Sequence, residues 1–180
     1  MVSVTESRMS GGAVEGVDRS VGGQPGAVVP GLVLVLSGPN LGLLGDREPS
    51  VYGTASLEEH IHSATAEASA LGLRVEHQQH DDEGDLVEAV HAARGRASAI
   101  VINAGALTHY SWALHDALAA FDGPVVELHI SNPAAREPWR HTSVIAPVSD
   151  GSIAGFGGLG YRLAIQAVDR LLAELREVPE

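Results

Sequence analysis

A tyrosine set five residues after an arginine, in a loop broken by glycine and proline, is the first place in this 180-residue chain where side chains could do chemistry. The loop reads Gly38-Pro39-Asn40-Leu41-Gly42-Leu43-Leu44-Gly45-Asp46-Arg47-Glu48-Pro49-Ser50-Val51-Tyr52-Gly53. Its glycines and prolines allow both mobility and sharp bends, as active-site lids often need. A phenol of pKa about 10 is ionised roughly once in a thousand at neutral pH, a deficit of about 4 kcal/mol. A guanidinium nearby favours the phenolate and lowers such a pKa by about one to three units. Arg47, with Arg136 as a second source of charge, could serve Tyr52 in this way. A second segment runs Glu127-Leu128-His129-Ile130-Ser131-Asn132-Pro133-Ala134-Ala135-Arg136-Glu137-Pro138-Trp139-Arg140. Glu127 and His129 stand two apart on an expected strand and so share a face. An imidazole there can give or take a proton near neutral pH. Each feature alone has a plainer explanation: a packed Tyr–Arg pair, a satisfied buried histidine.

The elements that must position these residues alternate. Leu32–Leu36, Leu73–Gln79, Ser98–Asn103, Pro124–Ile130 and Ser143–Val148 read as strands, several of them continuous apolar runs suited to burial on both faces. Between them, Ser56 and Glu59 form a capping-box pattern ahead of Leu57, Ile61, Ala64, Ala68 and Leu71 on one helical face, with Gly72 as the stop. Further helices are expected from Asp85 to Ala93, from a Ser111 cap to Phe121, and from Leu159 to Glu177, the last making apolar contacts through Leu163, Val168, Leu171 and Leu172. Such alternation predicts an α/β fold, a doubly wound sheet of about five parallel strands with helices on both faces. Ligands of such folds sit beyond the carboxyl ends of the strands. Those ends are Gly38-Pro39-Asn40, Gln79-His80, Asn103-Ala104-Gly105 and His129-Ile130-Ser131. Residues 1–30, rich in Gly, Ser and Val, read as a disordered extension before one domain over 31–180.

Composition narrows the function. All 11 basic residues are arginine, so no side-chain lysine can form an imine with a carbonyl substrate. The absence of cysteine removes disulfides and thiolate chemistry. A net charge of −12 repels phosphate backbones, so nucleic acid is not an expected partner. No apolar run approaches the roughly 18 residues of a membrane span, and no secretory signal is evident. A cytoplasmic location is expected.

Three decoys need weighing. Gly155-Phe156-Gly157-Gly158-Leu159-Gly160 has dinucleotide-loop spacing, but it opens the last helix rather than the first βαβ unit; close backbone packing is the expectation. His77, His80, Asp81, Asp82 and Glu83 could ligate a metal, but lack a second ligand set with recognisable spacing. His60 and His62 are expected on a solvated helix surface.

The motifs then become specific. GPNLxLLGxREPxxYG at Gly38–Gly53, INxGxxTHxSxALxDA at Ile102–Ala117 and PVVExHISNxxxREPxR at Pro124–Arg140 resemble the three hallmark blocks of the type II 3-dehydroquinate dehydratases. The similarity extends over essentially everything after the extension. It implies a flavodoxin-like fold, trans-elimination of water from 3-dehydroquinate to 3-dehydroshikimate, no cofactor and no metal, and a homododecamer assembled from trimers. By the same resemblance Tyr52 is the base, Arg47 activates it, and His129, supported by Glu127, is the proton donor to the leaving hydroxyl. Asn40 matches the residue that stabilises the enolate through a water. Asn103, Gly105, Ala106, His109, Arg136 and Arg140 match substrate-binding positions, as do Ile130 and Ser131, which hold the carboxylate. Asp116 matches a residue that approaches a neighbouring subunit's site.

The chemistry is coherent. Removing a proton next to a ketone builds an enolate, which needs preplaced donors, and hydroxide leaves readily only as water. The chain departs from the common pattern at Ser37, Gly42, Leu107, His115 and Trp139, none of them a catalytic position. The rival readings are a non-catalytic flavodoxin-like module that senses dehydroquinate or quinate, and a flavin or nucleotide carrier.

Overall fold

The computed structural model describes residues 29–46 and 54–177. Arg47 and Tyr52 lie outside the described residues, as does the expected extension up to residue 28. Hydrogen bonding to the domain already begins at Val29, whose N–H donates to Arg96 O at 2.8 Å and whose carbonyl accepts from Ser98 Oγ.

Five strands form one all-parallel sheet: β1 (Leu32–Ser37), β2 (Arg74–Gln79), β3 (Ala99–Asn103), β4 (Val125–His129) and β5 (Gly151–Ala154). Their spatial order is β2-β1-β3-β4-β5, the flavodoxin-like arrangement. Helix α1 (Leu57–Ala70) begins at a true capping box, Ser56 Oγ accepting from Glu59 N–H while Glu59 accepts from Ser56 N–H. Helices α2 (Glu83–Ala93), α3 (Trp112–Ala119) and α4 (Leu159–Glu177) follow, the first two capped by Asp82 and Ser111.

The pleat of the strands divides the core in two. Leu32, Leu34, Leu36, Ile100 and Ile102 point to the face covered by α2 and α3. Val33, Val35, Val101, Val126 and Leu128 point to the face covered by α1 and α4. This two-sided burial is why β1 and β3 carry unbroken apolar runs.

Several expectations change. The fifth strand is Gly151–Ala154; Ser143–Val148 instead ends in a single 3-10 turn at Ala146–Val148. Pro147 has no N–H for a ladder, and Ser143 Oγ takes the backbone N–H groups of Ile145 and Ala146, while the Ile145 side chain anchors the segment in the core. Residue Leu71 is exposed; its place on the buried face of α1 goes to His60, which is 7% exposed and stacks on Tyr161 with ring centroids 5.5 Å apart. The expectation of a solvated His60 is therefore overturned, because α4 covers this side of α1; His62 does face outward. Leu163 is only half-buried, and α4 packs through Tyr161, Ala164, Ile165, Val168 and Leu172.

Candidate active site

The strand order reverses between β1 and β3, and a doubly wound sheet places its ligand site there. Ser37 and Asn103 are register partners at the ends of these strands, and Gly38 N–H donates to Asn103 O at 2.8 Å. The two loops leaving the strands cross closely: a Cβ on Gly38 would meet Ala104 O at 2.6 Å. Gly105 adopts φ +58°, with Pro39 O 3.2 Å from where its Cβ would stand. Only glycine fits this crossing without moving backbone.

A cleft opens above the crossing. Asn40 comes to it from the first loop; Asn103, Gly105, Ala106 and His109 from the second; His129, Ile130, Ser131 and Arg140 from β4 and the segment after it. The three sequence blocks thus meet in space, brought together by parallel strands that end at the same edge. Asp116 is exposed on α3 and does not line the cleft. Arg136 pairs with Glu137, 3.5 Å away, and does not line it either.

Glu127 sits behind the cleft wall, 1% exposed. Its Oε1 accepts from His129 Nε2 at 2.9 Å, from Ser143 Oγ at 2.7 Å and from Thr108 Oγ1; its Oε2 accepts from Ser152 Oγ at 3.0 Å. Burial pushes the carboxyl pKa up, but the hydrogen bonds from His129, Thr108 and Ser143 and the charge of His129 outweigh it and hold the value at about 2. Glu127 is therefore a carboxylate at any physiological pH. It fixes the His129 ring with Nε2 as a donor, and Nδ1 has no partner among the described residues. An imidazole oriented in this way at a cleft wall is equipped to deliver a proton.

The other polar groups are similarly oriented. His109 Nδ1–H donates to Thr142 O at 2.7 Å, and its ring meets the edge of Trp139 at 5.3 Å. Arg140 lies over the Trp139 ring at 4.0 Å and gives Nε–H to Glu137 at 2.7 Å. Its terminal nitrogens have no partner among the described residues. The Asn103 side chain accepts from Gly105 N–H, which stabilises the turn at the cleft floor.

The suspected metal cluster disperses. His77 Nε2 meets Ser37 Oγ at 3.1 Å, Asp81 accepts from Asn40 N–H, Asp82 caps α2 and Glu83 accepts from Ser111 Oγ. Among the described residues no group of three such side chains could hold a metal ion. The glycine-rich Gly155–Gly160 stretch serves packing, since a Cβ on Gly158 would meet the His60 ring at 2.4 Å and one on Gly160 would meet Leu128 at 2.9 Å.

Comparison with known proteins decides the lineage. The family model described as dehydroquinase class II matches residues 31–169. The chain belongs to that family. A 3-dehydroquinate dehydratase 2 of Pseudomonas aeruginosa is 53% identical over 134 residues, 74% of this chain and 90% of the relative. The 3-dehydroquinate dehydratase of Halalkalibacterium halodurans is 46% identical over 136 residues, 76% of this chain and 94% of that one. The crystal structure of type II dehydroquinase from Propionibacterium acnes matches with a TM-score of 0.73 at 40% identity, covering 80% of this chain and 99% of that chain.

Within this class II dehydroquinase fold, sequence reasoning missed Thr108, Ser143 and Ser152, the hydroxyls around Glu127. Thr108 lies inside the second block, where its signal was absorbed by the neighbouring His109. Ser143 and Ser152 lie around the misplaced fifth strand, so their convergence on Glu127 had no sequence signal. The departures from the common pattern are accommodated: Ser37 is buried against His77, Leu107 is in the core, and His115 gives Nδ1–H to Val144 O at 2.6 Å.

Proposed function

We propose that this class II dehydroquinase eliminates water from 3-dehydroquinate through an enolate, with Tyr52 as base and His129 as acid. The observation that carries the reading is His129 in the cleft wall, its Nε2 held 2.9 Å from a buried, ionised Glu127. Tyr52, its phenolate favoured by Arg47, takes the proton from the carbon next to the ketone. The electron pair of that C–H bond becomes the enolate, which Asn40 stabilises through a water. The enolate then expels the hydroxyl as His129 protonates it, so one water leaves and a C=C bond forms. At the end of the turnover Tyr52 releases its proton to solvent and His129 takes one up, so both return to their starting states. Asn103, Gly105, Ala106 and His109 bind the ring, Ile130 and Ser131 take the carboxylate, and Arg140 and Arg136, both paired with Glu137, supply positive charge toward the anionic substrate. No lysine is present to offer an imine route.

The test is the appearance of the conjugated enone by ultraviolet absorbance, with Tyr52→Phe and His129→Asn alongside. Both variants should stay folded and lose roughly 10²-fold or more in kcat, the usual worth of a positioned proton-transfer group. Near-normal turnover by either would overturn its assignment.

The same proposal includes a homododecamer built from trimers, in which Asp116 serves a neighbouring subunit's site. Asp116 shares a face of α3 with Trp112, four residues earlier and 64% exposed, and Tyr110 beside it is 60% exposed. Light scattering should give twelve times the 18.7 kDa chain; a monomer would overturn this part. A cytoplasmic location, a role in aromatic biosynthesis or quinate breakdown, and an extension over 1–30 ahead of a catalytic domain over 31–180 belong to the same reading.

A further inference from the structure

Three hydroxyls from three separate parts of the chain converge on one carboxylate. Thr108 comes from the 3-10 turn Gly105–His109, Ser143 from the segment before Ala146–Val148, and Ser152 from β5. All three donate to Glu127, which also accepts from His129 Nε2. Satisfying a buried carboxylate needs donors, but not from so many separated elements, and only one of the four donors reaches the cleft.

We propose that Thr108, Ser143 and Ser152 are positioning residues for proton transfer, limiting how strongly Glu127, bonded to Nε2, stabilises the protonated His129 ring against loss of its other proton. The inference rests on His129 being the proton donor. A buried carboxylate whose sole partner is an imidazolium concentrates its charge on that ring and makes it a reluctant acid. Donors shared over both oxygens spread the charge and weaken the carboxylate as a base, while fixing the plane in which the ring must lie. Glu127 then orients His129 and supports its charged form, yet lets the proton go when the hydroxyl departs. Removing one hydroxyl returns charge to the His129 bond: the ring holds its proton to higher pH and donates it more slowly.

Ser152 is the best probe, because it sits on an exposed edge strand and its loss should leave the fold intact. Ser152→Ala should move the alkaline limb of the kcat profile to higher pH. It should also lower kcat by about three- to tenfold, a small part of what a positioned acid supplies. KM and melting temperature should stay near wild type, and Ser152→Thr should restore both the limb and the rate. Thr108→Val and Thr108→Ser form a second pair with the same expected contrast. Unchanged limbs in both Ser152→Ala and Thr108→Val, with His129→Asn inactive, would overturn the inference and leave the proposed reaction standing. Normal turnover by His129→Asn would overturn both.

Discussion

The backbone N–H of Asn40 donates to Asp81 Oδ1 at 2.8 Å, tying the loop after β1 to the end of β2. Asn40 sits at φ +66°, the one non-glycine residue in the left-handed region among the described residues. That conformation is sparsely populated and persists when the surroundings enforce it. Gln79 Nε2 reinforces the tie by donating to Asp81 at 3.0 Å and to Gly38 O at 3.4 Å.

Asp81→Ala should therefore loosen Asn40 without disturbing the core. Losing one solvent-accessible hydrogen bond worth about 1 kcal/mol corresponds to a fall of roughly fivefold in kcat/KM. Steady-state kinetics and a melting curve check this together. An unchanged kcat/KM would show that Asn40 keeps its place without Asp81.

Gly158 touches His60, itself stacked on Tyr161, so there is no room for one more carbon. Gly158→Ala should cost about 1–3 kcal/mol, the usual penalty of overpacking. Because the clash is with a side chain, adding His60→Ala should recover part of that loss. Urea denaturation of both single variants and the double variant measures the coupling. Strict additivity would show that the glycine is needed for some other reason.

Glu127 gives the fold a dependence on acid. Its folded pKa of about 2 lies below the ordinary 4.5, so its contribution is fully present above pH 4.5 and is lost as pH falls from there toward 2. The difference corresponds to about 3 kcal/mol. Unfolding free energies of wild type and Glu127→Gln should converge over that window, the wild type losing more. Parallel curves would show that another carboxylate governs acid unfolding. Glu67, Glu76 and Glu137 are also lowered, but Glu76 and Glu137 are substantially exposed and Glu67, though half-buried, pairs with an exposed Arg162, and ion pairs at such surface positions contribute little.

Much of the architecture was legible because burial on both faces leaves a plain mark. The apolar runs of β1, β3 and β4, the Ser56–Glu59 capping box and the glycine stop at Gly72 each report a local rule. The fifth strand was not legible. Gly151–Ala154 is short, edge-placed and half-exposed, whereas the apolar residues just before it serve as a core anchor without a ladder. His60 was misread for a related reason: a helix face is buried or solvated according to what lies against it, and α4 comes a hundred residues later.

The order and spacing of three motifs determined the family and the residues worth examining, because those residues lie close together along the chain in patterns that only their chemistry explains. The tertiary structure decided which of them meet. Parallel strands ending at one edge bring Asn40, Asn103 and His129 to one cleft, while leaving Asp116 and Arg136 off its walls. It also decided the state of Glu127. Whether a buried carboxyl is charged depends on donors gathered from distant segments, and nothing local to Glu127 records that Thr108, Ser143 and Ser152 will be there.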